Sequence, residues 1–327
     1  MALKAAIDIG NHTTKIIEYK PIKKGISIQE VHRLEGLRDD NLEYLIEEIQ
    51  DSVKAKDLSI MMSKINTSHI KVEEKNPSRF LKDRIKALKE DGYNSDFIKL
   101  NDRQYLFSYV QKNLVDSIVR PLFKKKKVRA VDANSSALTY LSKLYNDYET
   151  EILLDIGHLS TEVLIKHRGK IIKYDKLNIG MHQIIEDIKN TIGLPYTRTL
   201  ELMLQLGLDK DSLPINTSEI LGNTHITEFE YGSTVHDHIE YYLSRVANLL
   251  KADQPFKADD SKLILIGGGP LMRGLENIVK NNLEIEVETF SLVSSITGDV
   301  SIINDSNKKI DSVYAPVIGL GLREVLK

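Results

Sequence analysis

Two short segments hold the residues best suited to chemistry. AAIDIGNHTTKIIE (residues 5–18) and ILLDIGHLSTEVLI (residues 152–165) each run an apolar strand into Asp-Ile-Gly, turn, and begin a second strand on a hydroxyl residue. Asp8 matches Asp155, Gly10 matches Gly157, and Thr14 matches Thr161. Glycine in such a turn allows successive N–H groups to converge on one concavity, which suits a phosphate. Asn11, His12, Thr13 and Thr14 line the first turn, and His158, Ser160 and Thr161 line the second, their hydroxyls adding donors at the lip. Lys15 supplies a point charge for outer phosphates. A carboxylate repels phosphate, so Asp8 and Asp155 are expected to reach it through a hydrated Mg²⁺. Either turn alone could be an ordinary tight hairpin. Two copies, each between apolar runs, point to one phosphate chain clamped from both sides.

A third segment, LILIGGGPLMRGLENIV (residues 263–279), runs a strand into Gly267, Gly268, Gly269 and Pro270, with a helix beyond. Backbone without side chains can lie flat against a planar or anionic ligand. The spacing is neither the Rossmann G-x-G-x-x-G nor a P-loop, since no G-K-[ST] follows.

These turns need strands and helices to hold them. Ala5–Ile9, Thr14–Tyr19 and Ile26–Val31 read as strands, Asp40 as the cap of a helix bearing Leu42, Leu45, Ile46 and Ile49, and Leu58–Met62 as a buried strand. From Ser68 to about Phe123 the pattern becomes a small α+β insertion: a strand at 70–72, a helix at 78–88, a hairpin across Asn101-Asp102, and a helix at about 114–123. Val128–Val131 resumes the first layer and Asn134–Tyr145 reads as a helix. The second half repeats the plan with strands at 151–155, 162–166 and 170–174, and helices at 182–191, 197–206 and 235–250. Residues 209–234 show little periodicity and read as a surface excursion. A last helix begins near Val317.

Composition bounds the possibilities. At 327 residues the chain is long enough for two domains. It has no cysteine, which excludes disulfides, a thiol nucleophile, Fe–S clusters and Cys-ligated zinc. Lys plus Arg total 45 against 47 Asp plus Glu, a net charge of −2, so no global field favours nucleic acid. No apolar run reaches membrane-span length, and the N-terminal apolar stretch is too short for a signal peptide. The expected location is cytoplasmic. Lys124–Lys127 with Arg129 could touch anionic lipid, or could be a solvated helix end. His236 and His238, two apart, fall on opposite faces of a helix, so with His225 they do not read as a metal site.

The motifs resemble the actin-like ATPase superfamily, which includes actin, the seventy-kilodalton heat-shock chaperones and sugar kinases. DIGNHTTK looks like the first phosphate loop, DIGHLST the second, and LIGGGPLMRG the adenosine loop. VDANSSALTYL (131–141) and YAPVIGLGLRE (314–324) are similar to the two connecting helices, and LNIGMHQIIEDI (177–188), with Gly180, to the segment after the second phosphate loop. The resemblance implies an α/β, ribonuclease H-like duplicated two-lobed fold with an inserted α+β subdomain. The lobes would be residues 1–149 and 150–327, the adenosine loop would span about 263–274, and the final helix would pack back on the first lobe. ATP with Mg²⁺ would lie between the lobes.

Within the superfamily the chain looks most like the branch of the pilus-assembly protein PilM and the division protein FtsA, whose extra subdomain falls where residues 68–123 lie. That branch implies a cytoplasmic ATP-binding scaffold, recruited to the inner membrane face by gripping the cytoplasmic tail of a bitopic, PilN-like partner. The chain ends at Lys327, where an FtsA would continue to an amphipathic membrane-targeting helix. Self-association is compatible with the branch; nucleic acid is not implied. Alternatives are an FtsA-like or plasmid-partitioning filament protein, a small-molecule kinase of the superfamily, and an interaction module without nucleotide.

Departures weaken turnover. His158 and Leu159 stand where strong ATPases have glycines, narrowing the phosphate approach. Glu201 matches the family's ribose-side Glu, but Leu204 stands at its Lys position. Asp132 and Asn134 match the water-positioning region. Asn is a poor general base, and Asp132 could instead cap the following helix. The expectation is ATP binding with slow or no hydrolysis.

Overall fold

The structure is a computed structural model and describes residues 1–37, 41–122, 124–222, 224–251, 260–292, 296 and 298–326. The chain opens with β1 (Lys4–Ile9), β2 (Thr13–Ile22) and β3 (Gly25–Glu35), followed by α1 (Leu42–Ser52) and β4 (Asp57–Met62). Asp40 lies outside the described residues; the N-cap position of α1 is Asn41. Next come β5 (Asn66–Lys71), α2 (Pro77–Glu90), β6 (Tyr93–Lys99), β7 (Gln104–Gln111), α3 (Lys112–Leu122), β8 (Lys127–Asp132) and α4 (Asn134–Leu141). The second half supplies β9 (Thr150–Ile156), β10 (Thr161–His167), β11 (Lys170–Leu177), α5 (Met181–Ile192), α6 (Tyr196–Leu206), α7 (Thr217–Leu221) and α8 (Glu228–Lys251). It closes with β12 (Ser261–Gly267), α9 (Leu275–Leu283), β13 (Glu286–Thr289), β14 (Ser301–Asn304) and α10 (Ala315–Arg323).

The repeat seen in the motifs governs the topology. One sheet has the order β14-β3-β2-β1-β4-β8, and another β11-β10-β9-β12-β13. Without the edge strand β14, both read as a strand trio joined by consecutive turns, then two further strands beyond the first. This is the ribonuclease H-like order, built twice. The chain divides into two compact units, residues 1–146, 164–174 and 291–327, and residues 147–163 and 175–290.

In the first unit, alternation along β1 and β2 sends Ile7, Ile9 and Ile16 to one face, where Leu45, Ile46 and Ile49 of α1 cover them. Each such fully buried aliphatic contributes about 1.5–3 kcal/mol. The other face carries α4 and α10, which pack together. Gly319 lies against the Ala137 carbonyl, so any side chain there would push the two helices apart. Every residue from Ala315 to Leu322 is buried.

The insertion has its own antiparallel sheet, β5-β7-β6. Pro77 opens α2, and the Asn76 side chain caps it by accepting from the Arg79 amide at 3.1 Å. Val72, Leu81, Tyr105 and Phe107 form a separate small core beneath it. Helix α3, read from sequence as part of the insertion, instead buries Ile118 and Leu122 in the large-sheet core. The excursion expected over 209–234 is also more ordered than its composition suggests: it contains a 3-10 turn, α7 and the first two turns of α8. Helix α4 is shorter than expected and gives way to a 3-10 turn at Ser142–Leu144. No described helix is long and apolar enough to cross a membrane.

Candidate functional site

The first turn joins β1 to β2. Strand register sets Lys15 opposite Asp8, Asp8 beside Met61 of β4, and Met61 beside Asp132 of β8. Residues directly across from one another share a face, so Lys15, Asp8 and Asp132 project to the α4–α10 side of the sheet at the same end. Lys15 Nζ lies 3.1 Å from Asp8 Oδ2, and the Asp8 carboxylate is almost wholly buried. Asp132 is engaged twice more: it forms an ion pair with Arg323 of α10, and its Oδ1 accepts from the Ala133 amide at 3.2 Å. Burial pushes its carboxyl above the usual range, against the pull of Arg323. Asn134 starts α4 immediately beyond.

The second turn joins β9 to β10 in the other unit. Its glycine N–H is closed by the Ser160 carbonyl at 2.9 Å. Asp155, next to last in β9, lies beside Ile266 of β12 and is almost wholly buried.

Each turn is braced by the segment after the third strand of its own repeat. The Leu37 amide donates to Gly10 O at 2.8 Å and the Gly36 amide to His12 O at 3.0 Å. In the second copy, the Met181 amide donates to Gly157 O at 3.0 Å and the His182 amide to His158 O at 2.8 Å. Gly180 was legible in the sequence through its motif. Gly36, its counterpart, was not, because Leu-Glu-Gly carries no signature beyond a glycine after the third strand.

Two of the four hydroxyls expected at the lips, those of Thr14 and Thr161, turn inward. Thr14 and Thr161 are fully buried. Alternation explains this: with Asp8 and Lys15 on one face, Thr14 must take the other. Thr14 Oγ1 has no hydrogen-bond partner among the described residues, and Thr161 Oγ1 donates to Ile179 O at 2.8 Å and bonds Tyr242 OH at 2.6 Å. The open lips are formed instead by half-buried Asn11 and Thr13 with exposed His12, and by half-buried Ser160 with exposed Leu159.

His158 is not a lone surface histidine. Its ring centre is 5.0 Å from that of His182, which is 5.4 Å from Tyr196, and His182 Nδ1 lies 3.3 Å from the Tyr196 hydroxyl. Burial pushes the Tyr196 phenol up, and the charge of Glu186 adds to that.

The three glycines after β12 serve different ends. Gly267 has φ +83, a left-handed conformation, and lies against Asp155 Oδ1, so a β-carbon would collide with that carboxylate. Gly269 lies against the Ile156 side chain. Only Gly268 faces open space, with nothing within 4 Å of where a β-carbon would be. Pro270 lies in the first positions of the 3-10 turn Gly269–Leu271, where a proline's missing N–H costs nothing. On α6, Glu201 pairs with Arg198 at 3.3 Å, and Leu204 is 47% exposed. The three histidines weighed as a metal set are held by local contacts: His236 with Glu240, His238 with Thr191 and His225 with the Ile192 carbonyl.

No protein-family model matches the chain, and no curated protein sequence matches it. Solved structures do. A PilM-PilN type IV pilus biogenesis complex is similar at TM-score 0.73 and 15% identity, over 98% of both chains. A Bacteroides thetaiotaomicron protein described as having an actin-like ATPase fold is similar at TM-score 0.51 and 12% identity, over 98% of this chain and 95% of that one. MreB5 of Spiroplasma citri, bound to ADP, is similar at TM-score 0.53 and 11% identity, over 99% and 96%. These likenesses define the fold: the chain has the actin-like ATPase fold over essentially its whole length.

Proposed function

We propose that this chain is an ATP-binding, actin-like scaffold protein of a type IV pilus or related secretion assembly, which holds the cytoplasmic tail of a bitopic inner-membrane protein and is recruited to that membrane by it. The observation that carries the nucleotide reading is the pair of buried carboxylates, Asp8 and Asp155, each closing the first strand of a repeat beside a glycine turn. A carboxylate reaches phosphate through a hydrated Mg²⁺, so each of these aspartates, judged by the chemistry of its own turn, would suit that ion. Bound with ATP, Mg²⁺ would neutralise phosphate charge. Lys15 and the turn amides near Gly10 and Gly157 would hold phosphate oxygens, with Asn11, His12, Thr13, His158 and Ser160 around them. Gly180 would keep the second turn in shape, and Gly268 would present bare backbone to the adenosine, with Glu201 on the ribose side.

Binding is favoured over turnover. The ion pair with Arg323 restrains the Asp132 carboxylate from orienting a water, and Asn134 is a weak base. The scaffold reading draws on the likeness to a PilM-PilN complex over 98% of both chains. Capture of the N-terminal cytoplasmic tail of a bitopic inner-membrane protein encoded beside this chain tests it; failure to retain any such tail counts against it. An FtsA-like or plasmid-partitioning filament protein is the second reading, favoured by the resemblance of the phosphate-loop and adenosine-loop motifs to that branch. ATP-dependent sedimentation of the pure protein would select it.

A further inference from the structure

One end of the large sheet, away from Asp8 and Asp132, concentrates positive charge. Strand register places Lys4, Asp57 and Lys127 side by side where the parallel strands β1, β4 and β8 begin. Antiparallel β2 finishes at the same end, so the β2–β3 turn brings Lys23 and Lys24 there. The segment before β4 adds Lys54 and Lys56, and the one before β8 adds Lys124. From β3 to β8 these five strand ends span roughly 20 Å, and adjacent strand ends, about 5 Å apart, lie within one Debye length (about 8 Å) at physiological salt, so neighbouring charges act together.

Part of this charge serves the fold. Lys126 donates to the carbonyls of Val53 and Ala55, closing the turn after α1. Arg129 pairs with Asp57 at 2.7 Å, and Lys125 lies 3.8 Å from Asp51. Half-buried Lys4 aside, what is left is Lys23, Lys24, Lys54, Lys56, Lys124 and Lys127. All six are exposed, and none makes an ion pair among the described residues. The nearby acids Asp51 and Asp57 already have partners, Glu18 is buried and accepts from the Ala55 amide, and Asp299, ahead of the β14 edge that pairs with Gly25, is a further carboxylate at this end.

We propose that this edge docks directly on an anionic lipid bilayer. The six free cations are all lysines, compact point charges that suit a diffuse negative surface. A nucleic-acid surface would call for guanidinium forks, stacking aromatics or a protruding helix. Residues 22–25, 54–57 and 124–129 offer a single arginine, already tied to Asp57, and no aromatic. The chain's net charge of −2 makes this a local field and not a bulk property. The edge depends neither on nucleotide nor on a protein partner.

The test is vesicle co-sedimentation of the full chain at low and at physiological salt. Phosphatidylglycerol-containing vesicles should retain the protein, pure phosphatidylcholine vesicles should not, and salt should release it. Each basic residue near the surface is worth roughly fivefold in partitioning, so K23E/K24E/K54E/K56E should lose roughly a hundredfold or more. K75E/K82E/K86E/K89E, an equal charge change on the insertion, should bind like wild type. K124E/K127E supplies an independent pair should the quadruple variant fold poorly. Retention by neutral vesicles, unchanged binding of the edge variants, equal loss in the insertion variant, or tighter binding to duplex DNA than to the anionic vesicles would overturn the proposal.

Discussion

Asp132, at the end of β8, forms an ion pair with Arg323, near the end of α10, and so ties the final helix to the row of residues that holds Asp8 and Lys15. Burial raises its carboxyl pKa above the ordinary value of 3.8, even with a guanidinium beside it. The sign follows. The folded chain holds the proton more readily than the unfolded one, so this group's contribution to stability falls as pH rises from about 4 through the raised pKa. Asp132→Asn removes that fall. Urea unfolding at acid and neutral pH should show the Asn variant gaining on wild type as pH rises, with a difference at neutral pH within about 1–2 kcal/mol, since breaking the pair opposes the relief. A variant that loses ground as pH rises would show that the Arg323 pair dominates.

Gly36 and Gly180 occupy the same place in the two repeats. A β-carbon on Gly36 would lie 2.5 Å from Asn11 O, and one on Gly180 would lie 2.5 Å from His158 O. Gly36→Ala and Gly180→Ala should each cost about 1–3 kcal/mol in chemical denaturation. The two losses should be similar, because the same clash is made twice. A substitution that leaves stability unchanged would mean that its turn is not braced as described.

Glu18 is a buried carboxylate in the middle of β2. Burial alone would push its pKa up, but hydrogen bonds involving His32 and the Ala55 amide outweigh that and hold it below 4.5. Its stabilisation is therefore present above the unfolded pKa and lost as pH falls through the folded one. Glu18→Gln should destabilise by about 1–3 kcal/mol at neutral pH, the gap narrowing in acid. Denaturation midpoints across pH measure this, and a gap that widens in acid would contradict it.

The strand-turn-strand repeat was legible because each copy has an uninterrupted apolar run before Asp-Ile-Gly, which composition seldom produces twice. Tertiary detail was not. Strands β13 and β14 are four residues each, too short for alternation to stand out. The beginning of α8 was hidden by Gly232, which reads as a break. In the structure it makes room for Lys210, whose Cβ would lie 3.2 Å from a β-carbon there. The site residues were readable by type but not by direction. Thr14 and Thr161 sit in the right segments, yet strand alternation and the Tyr242 hydroxyl turn them inward. Likewise, no local pattern shows that Gly267 makes room for Asp155, because that contact joins two parallel strands far apart in sequence.

Nucleotide binding through the paired aspartates is the central claim, and titration calorimetry of MgATP into wild type, Asp8→Ala and Asp155→Ala tests it most directly. Wild type should bind, and each variant should bind at least about tenfold more weakly, a loss of about 1.4 kcal/mol, while omission of Mg²⁺ should weaken wild type most. Equal affinity in all three proteins, or no heat of binding in wild type, would contradict it.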